Sequence, residues 1–391
     1  MAPVRILSVF GTRPEAIKMA PVVRALAALP GVSAPVCLTG QHREMLDQVT
    51  NLFGIRAAAS LDCMRPGQGP GAVTAAVMTE LAPVLADLAP RAVLVHGDTA
   101  TTLGAALAAF YAKIPVVHVE AGLRTHDMGA PWPEEMNRRL VGGLATYHFA
   151  PTARAAANLV AEGVDETRIE VTGNTAIDAL LWVRRAVLSR PGMDLAMQTL
   201  FPWAGLERAE GKRLILVTGH RRENLGTGFD DLCGALLRLA DRGDVAIVWP
   251  LHPNPAVRGP VAARLGGHPG IHLIAPQEYA PFVWLMDQAH MIITDSGGIQ
   301  EEAPALGVPC LVTRAATERP EAVHAGTARL VGTDTETIVD TATALLDDAA
   351  VHGAMSRATN PFGDGRAAER IADHLVRSFV QVPSLVAQPA A

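Results

Sequence analysis

The sequence predicts an α/β protein of two Rossmann-like parallel-sheet halves, and three observations carry that expectation. Short apolar runs alternate with longer amphipathic segments along most of the chain, which is the rhythm of βαβ units. The rhythm pauses once, near 187–212, and then restarts with fresh apolar runs. The length of 391 residues, set against about 150 per domain, leaves room for two or three domains with a sizeable core.

In the first half RILSVF, APVCLT, AVLVHG, PVVHVE and IEVTG read as strands, with helices such as PEAIKMAPVVRALAAL between them. The stretch LSRPGMDLAMQTLFPWAGLERAEGK, with its Pro, Gly and polar breakers, reads as the break between halves. RLILVTGH, VAIVWP, IHLI, MIITD and CLVT then supply the strands of the second half. GRAAERIADHLVRSF reads as a final helix, and VPSLVAQPAA as a frayed tail. The expected domains are 1–180 and 181–363, with the helix 364–382 packing back on the first domain and 383–391 as the tail. Two halves meeting at a cleft is the simplest arrangement, and no sequence repeat relates them.

Composition excludes several classes. Hydrophobic residues make up 49% and charged ones 18%, so the chain is neither disordered nor supercharged. A formal net charge of -6, with no Lys/Arg run of four, leaves little to grip a nucleic-acid backbone. No uninterrupted apolar run approaches the roughly 18 residues of a membrane span, and the N-terminal RILSVFG reads as a strand and not a signal peptide. A soluble, cytoplasmic protein with no membrane partner is expected. Cys37, Cys63, Cys233 and Cys310 lie far apart without a CxxC pair, which suits reduced thiols better than disulfides or zinc. There is no GxGxxG after the first strand and no GxxxxGK[ST], so neither a tightly held NAD nor a P-loop is expected. With no HxxxH, clustered Asp ladder or GxSxG elbow, the expectation is no metal, no cofactor and no covalent nucleophile.

Ligands of open α/β sheets sit beyond the carboxyl ends of strands, so the residues after each apolar run carry the chemistry. The first strand ends in Gly11-Thr12-Arg13-Pro14-Glu15, with Lys18 a turn into the helix; this is either an anion cradle or a solvated helix start with an Arg/Glu pair. VLVHGD ends in Asp98 and VVHVEA brings in Glu120, two carboxylates that converge if these strands are neighbours. Asp98 could instead cap the helix beginning at Thr99, and Glu120 could pair with Arg124. PWPEEMNRRL puts Pro133 at a helix start, with Glu134 and Arg138 on one face and Glu135 and Arg139 on the next, a spacing that surface ion pairs also produce. In the second half VTGHRREN sets His220, Arg221 and Arg222 at a strand end, and PLHPNP holds His252 between prolines. The most specific stretch is MIITDSGGIQEEAPALG: a strand, then Ser296-Gly297-Gly298 opening a helix whose amides suit a diphosphate, then Glu302, which suits a ribose diol.

GTRPEAIKMAP, TGQHREMLDQV, VHGDTATTLGAALAAFY, HVEAGLRT, PWPEEMNRR, GNTAIDA, VTGHRREN, QEYAPFVWLM, TDSGGIQEEAP and TERPEAVHAGTARLVGTD together resemble the non-hydrolysing UDP-N-acetylglucosamine 2-epimerases, in order, from about residue 5 to about residue 375. The resemblance implies the GT-B fold, two Rossmann-like domains around a cleft. It implies interconversion of UDP-N-acetylglucosamine and UDP-N-acetylmannosamine for surface polysaccharides, by loss of UDP from carbon 1 as a proton leaves carbon 2 and re-addition to the 2-acetamidoglucal. Cations must then stabilise charge growing on the diphosphate while carboxylates handle protons.

By that resemblance Asp98, Glu120 and Glu134 fall on catalytic carboxylates, and Arg138 and His220 on groups needed near the diphosphate. Arg13, Lys18, Gln277, Phe282, Ser296, Gly297, Gly298, Glu302 and Arg319 fall on nucleotide-sugar binding positions. Gln41, His42 and Arg43 match part of a site where some relatives bind a second substrate molecule as an activator. Beyond it the chain departs from the activated relatives: it reads Met64-Arg65-Pro66-Gly67-Gln68, which displaces Arg65 from their Arg-Gln pair. The family is usually dimeric, so a homodimer is expected. The same fold and ribose contact would also serve an epimerase of a UDP-diacetamido-uronic acid or a GT-B glycosyltransferase, and a UDP-sugar sensor without turnover is the reading from another class.

Overall fold

The computed structural model describes residues 2–40, 43–63, 65, 67–219, 221, 226–252 and 254–380, and of Arg43, Glu44 and Met45 only the backbone. The chain divides into two compact units, one of residues 1–179 with 362–391 and one of 180–361, and the boundary falls inside the helix Thr175–Val183.

The first unit is built on β1 (Val4–Phe10), β2 (Val32–Ser33), β3 (Val36–Leu38), β4 (Ala59–Ser60), β5 (Ala92–His96), β6 (Val116–Val119), β7 (Tyr147–Ala150) and β8 (Ile169–Val171). They form one parallel sheet in the order β4-β3-β1-β5-β6-β7-β8, with β2 beside the start of β1. The β1, β5 and β6 runs are buried almost end to end, as a parallel sheet covered by helices on both faces requires. Its core joins Leu7, Val9, Val93 and Val95 of the sheet to Val77, Leu81 and Leu85 of the helix Pro70–Leu88 and to Ala105 and Ala109 of the helix Ala100–Tyr111. That first helix is long and apolar enough to cross a membrane by length and composition, although the sequence shows no uninterrupted apolar run of that length. Its buried stripe is what the sheet needs; much of the rest is exposed.

The second unit carries β9 (Arg213–Thr218), β10 (Val245–Pro250), β11 (Ile271–Ile274), β12 (Met291–Thr294), β13 (Cys310–Val312) and β14 (Ala328–Leu330), all parallel, in the order β11-β10-β9-β12-β13-β14. This is the Rossmann order 3-2-1-4-5-6, and in each unit the first strand lies against the one that begins the second wing of the sheet: β1 against β5, β9 against β12. Loops leaving those two strands diverge, and the opening between them is where such sheets bind ligands.

Several elements differ from the expectation. The stretch read as a break holds two helices, Met193–Leu200 and Pro202–Ala209: Gly192 is the N-cap of the first, and Pro202 takes the first position of the second, where a missing N–H costs nothing. The strands β2, β4, β7 and β14 also lie outside the runs expected to be strands. The last helix, Ala367–Leu375, packs on the helix Arg13–Ala27, and its first amides, of Ala367 and Ala368, donate to the buried Asp178 carboxylate at 3.2 and 2.8 Å. All four cysteines are free and buried, and burial pushes the Cys310 thiol up to about 12, so it packs as a small apolar residue.

Candidate active site

The loop after β1 does not form the open anion cradle that one reading of the sequence offered. Thr12 caps the helix Arg13–Ala27, and the buried Glu15 closes the capping box. Its Oε2 accepts the amides of Gly11 and Thr12 at 3.0 and 2.7 Å, so this helix N-terminus is filled by the protein's own carboxylate. Its Oε1 accepts Thr99 Oγ1 at 2.6 Å and Thr102 Oγ1 at 3.2 Å from the loop after β5. Glu15 therefore ties together the two loops that diverge at the switch point of the sheet, and with them the cations Arg13 and Lys18 and the acid Asp98. Gly11 is required by packing: a Cβ there would stand 1.9 Å from Thr39 Oγ1.

Asp98 and Glu120 do come from adjacent strands, at the ends of β5 and β6. Each is engaged by a cation. The Lys18 ammonium bonds Glu120 Oε2, which also accepts Asn174 Nδ2 at 3.1 Å. Arg124, the alternative partner of Glu120, instead grips Glu162 at 2.7 and 2.8 Å. Glu120 holds a left-handed backbone, φ 60, which few residues other than Gly adopt, so its placement costs strain of the kind that collects at functional sites. The other reading of Asp98, as a helix cap, also fails, because Thr99 is the cap residue and accepts the Thr102 amide.

Arg138 reaches across from the helix Glu134–Leu144 to Asp98 at 2.6 Å, and Asn137 Nδ2 donates to the Asp98 carbonyl at 2.8 Å. Its other contact is Glu135, 3.4 Å away. Glu135 is fully buried and accepts the amides of Thr125 and His126 at 3.0 and 3.1 Å, which pins the loop leading to this helix. Those amide bonds and the nearby guanidinium groups of Arg138 and Arg124 hold its carboxyl below the usual range against the opposing effect of burial. Glu134, its neighbour, is half-buried on the face that carries Arg138.

In the second unit β12 ends in the buried Asp295, whose Oδ2 accepts the Arg221 amide at 2.8 Å from the loop after β9. This is the counterpart of Glu15: an acid at the switch point that bridges the diverging loops. The helix Gly297–Glu302 follows with Ser296 as N-cap and no side-chain cap bond, unlike the helix start in the first unit. A Cβ on Gly297 would lie 3.2 Å from the Arg319 guanidinium carbon, so glycine lets Arg319 lie against this helix start. Buried Glu301 holds Arg319 there through Nε at 2.8 Å. Glu302 accepts the Tyr279 hydroxyl at 3.0 Å, Gln277 folds its amide onto the Ala275 carbonyl at 2.7 Å, and half-buried Phe282 lies on the helix Tyr279–Gln288. The arrangement offers amides and a guanidinium to an anion, with a carboxylate one turn on. His220, Gln41 and His42 lie outside the described residues, as does the side chain of Arg43.

The first unit thus gathers Lys18, Asp98, Glu120 and Arg138 with Glu134 alongside, and the second gathers Ser296, Gly297, Gly298, Glu302 and Arg319. Asn174, Glu15, Glu135 and Asp295 were not singled out as site residues from sequence. A signal existed for Asn174, which follows the strand IEVTG at its carboxyl end, and for Glu15, which completes a T-x-x-E capping box. The chain matches the family described as UDP-N-acetylglucosamine 2-epimerase over residues 24–376. It is 56% identical over 379 residues to the UDP-N-acetylglucosamine 2-epimerase of Escherichia coli K12, covering 97% of this chain and 100% of that one. The crystal structure of UDP-GlcNAc 2-epimerase from Neisseria meningitidis bound to UDP-GlcNAc superposes with a TM-score of 0.88 at 47% identity, over 96% of this chain and 100% of that one. That of the Methanocaldococcus jannaschii UDP-GlcNAc 2-epimerase in complex with UDP-GlcNAc and UDP gives 0.78 at 32%, over 96% and 100%. Two Rossmann-ordered sheets of the GT-B type, paired carboxylates at adjacent strand ends and identity maintained along the whole length lead to one conclusion: the chain belongs to the UDP-N-acetylglucosamine 2-epimerase family.

Proposed function

We propose that Asp98, Glu120 and Glu134 carry the proton chemistry on UDP-N-acetylglucosamine and that Ser296, Gly297, Gly298 and Arg319 bind its diphosphate. The protein is an isomerase that converts this nucleotide sugar to UDP-N-acetylmannosamine by inverting carbon 2. The observation that carries the mechanistic reading is the pairing at the ends of β5 and β6: Asp98 with Arg138 and Glu120 with Lys18. A neutral sugar needs no such charge for binding, whereas moving a proton on carbon does.

The chemistry explains the division of labour. The hydrogen on carbon 2 is barely acidic, so the bond from carbon 1 to UDP breaks as the proton passes to a carboxylate, leaving 2-acetamidoglucal and UDP in the site. Ser296, Gly297, Gly298 and Arg319 stabilise the charge that collects on the departing diphosphate, the family resemblance adds Arg138 and His220 to that task, and Glu302 serves the ribose with Arg13, Lys18, Gln277 and Phe282 for the rest of the nucleotide sugar. Asp98, Glu120 and Glu134 handle the proton and the positive charge developing on the sugar ring. UDP then adds back at carbon 1 while a proton reaches the opposite face of carbon 2, so the electron count closes without any cofactor.

Proton NMR of UDP-N-acetylglucosamine with the protein in deuterated water, with no acceptor or cofactor added, tests this. UDP-N-acetylmannosamine is expected to appear, with deuterium at carbon 2 of both epimers. Turnover that retains the original hydrogen at carbon 2, or that requires an acceptor, would reject elimination and re-addition.

We also propose that the enzyme works in the cytoplasm as a homodimer. The helices Pro70–Leu88 and Ala100–Tyr111 leave an apolar recess of ≈ 660 Å³ lined by Met78, Ala82, Leu85, Ala86, Tyr111 and Ile114, with Phe110 and Tyr111 themselves exposed. A second copy of the same apolar face suits it. Light scattering is expected to give about twice the 41.1 kDa of one chain. Ala82→Arg is expected to give single chains; a wild-type monomer at micromolar concentration counts against the assignment.

A further inference from the structure

The imidazole of His96, at the end of β5, is buried, and neither ring nitrogen has a hydrogen-bond partner among the described residues. Buried polar groups are almost always satisfied, and one that is not calls for a reason. Its Nε2 lies 3.7 Å from Glu120 Oε2, the same oxygen that takes the Lys18 ammonium and the Asn174 amide. A separation slightly beyond hydrogen-bond length is common in an unliganded site and shortens when substrate binds. We propose that His96 is a positioning residue for Glu120, donating from Nε2–H of its neutral ring to Oε2 and so fixing the rotation of the carboxylate that faces the sugar. This rests on the catalytic reading of Glu120 given above.

The ring must be neutral for this role, because a second cation beside Lys18 would make Glu120 a poorer base. Burial pulls the His96 pKa below its ordinary value and Lys18 pulls the same way, against Glu120, Glu15 and Asp98. His118, on the adjacent β6, pairs with Val95 and so lies on the other face of the sheet, close enough to interact electrostatically and itself neutral. His118 has its own partner, the Gly97 carbonyl at 2.8 Å, and does not compete for Glu120. The strain in the Glu120 backbone fits the same account: the φ of 60 turns this residue at the end of its strand, and the three donors then hold one oxygen.

Gln places an amide where Nε2 stands and keeps the donor, whereas Asn is too short to reach Oε2. His96→Asn is expected to lower kcat roughly 10- to 100-fold with the KM for UDP-N-acetylglucosamine within about twofold, and His96→Gln to recover most of the loss. Losing a donor to the ionised carboxylate raises its pKa, so the acid limb of the kcat profile moves to higher pH in His96→Asn. In the Glu120→Gln background His96→Asn is expected to cost nothing further. A measurement on the wild type stands beside these in case a variant does not fold: nitrogen-15 NMR of the histidine rings should show His96 neutral and protonated at Nε2. A folded His96→Asn with wild-type kcat and acid limb, or a His96 ring protonated at Nδ1 alone, overturns the proposal while the catalytic reading survives. Full turnover in Glu120→Gln overturns both.

Discussion

Glu120→Gln is expected to lower kcat for the interconversion of the two UDP-sugars by roughly 10³-fold, the middle of the range for removing a general acid or base. Gln has the shape of Glu and can still accept from Lys18 and Asn174, so the network around the position survives and the measurement isolates the charge and the proton-carrying capacity. Its KM is expected to change by no more than about threefold, since the diphosphate contacts assigned to Ser296, Gly297, Gly298 and Arg319 are untouched. Initial rates in both directions, with deuterium uptake at carbon 2 followed separately, are the check. A loss of less than about tenfold would remove Glu120 from the proton-handling set and leave Asp98, paired with Arg138, to carry it. Uptake and epimerisation must fall together, because the proposed step couples departure of the proton to departure of UDP.

How far these residues were legible depends on what decides each of them. Asp98 and Glu120 were visible because a parallel strand ending in a carboxylate points it at the ligand edge whatever the rest of the fold does. Spacing alone leaves Glu134 and Glu135 open and only the family resemblance selects Glu134, because neighbours on a helix differ by about 100° of phase and packing decides which one turns inward. Here Glu135 turned in and binds the loop, while Glu134 stayed at the rim. The cradle reading of Gly11-Thr12-Arg13 gave way to Glu15 because a capping box and an anion site have the same local sequence; what separates them is whether a side chain already sits on the amides. The strand β7 escaped notice because His148 interrupts its apolar run, yet that ring is buried. The paired sheets were readable because a period of strand then helix, repeated on either side of a break, has few other solutions.

Three buried histidines make the first unit sensitive to acid. His96, His118 and His148 come from β5, β6 and β7, with His118 and His148 opposite each other in the sheet. Burial lowers the His118 pKa to about 3 and that of His148 to about 4, from an ordinary 6.5. Below pH 6.5 the unfolded chain takes up protons that the folded rings refuse, so the stability they contribute is complete above that pH and is lost as pH falls toward their folded values. Asp178 works the other way: burial raises it to about 6 from 3.8, so its cost to the fold is relieved as pH drops through that window. At about 1.4 kcal/mol per proton per pH unit, and with the unfolded rings only half protonated at pH 6.5, His118 and His148 together cost about 3 kcal/mol between pH 6.5 and 5, and Asp178 returns about 1 of it. A net loss of about 2 kcal/mol is roughly a 30-fold change in the folding equilibrium of the first unit, before His96 adds its part. Hydrogen exchange of the β5, β6 and β7 amides, compared at pH 7 and pH 5 after correction for intrinsic rates, should show this loss, and a melt should show the first unit falling by about 6 °C. His118→Gln keeps a donor for the Gly97 carbonyl and removes one titrating group, so it should flatten the slope by about half. Equal protection at the two pH values would mean that water reaches these rings and that the sheet edge is more open than their burial implies.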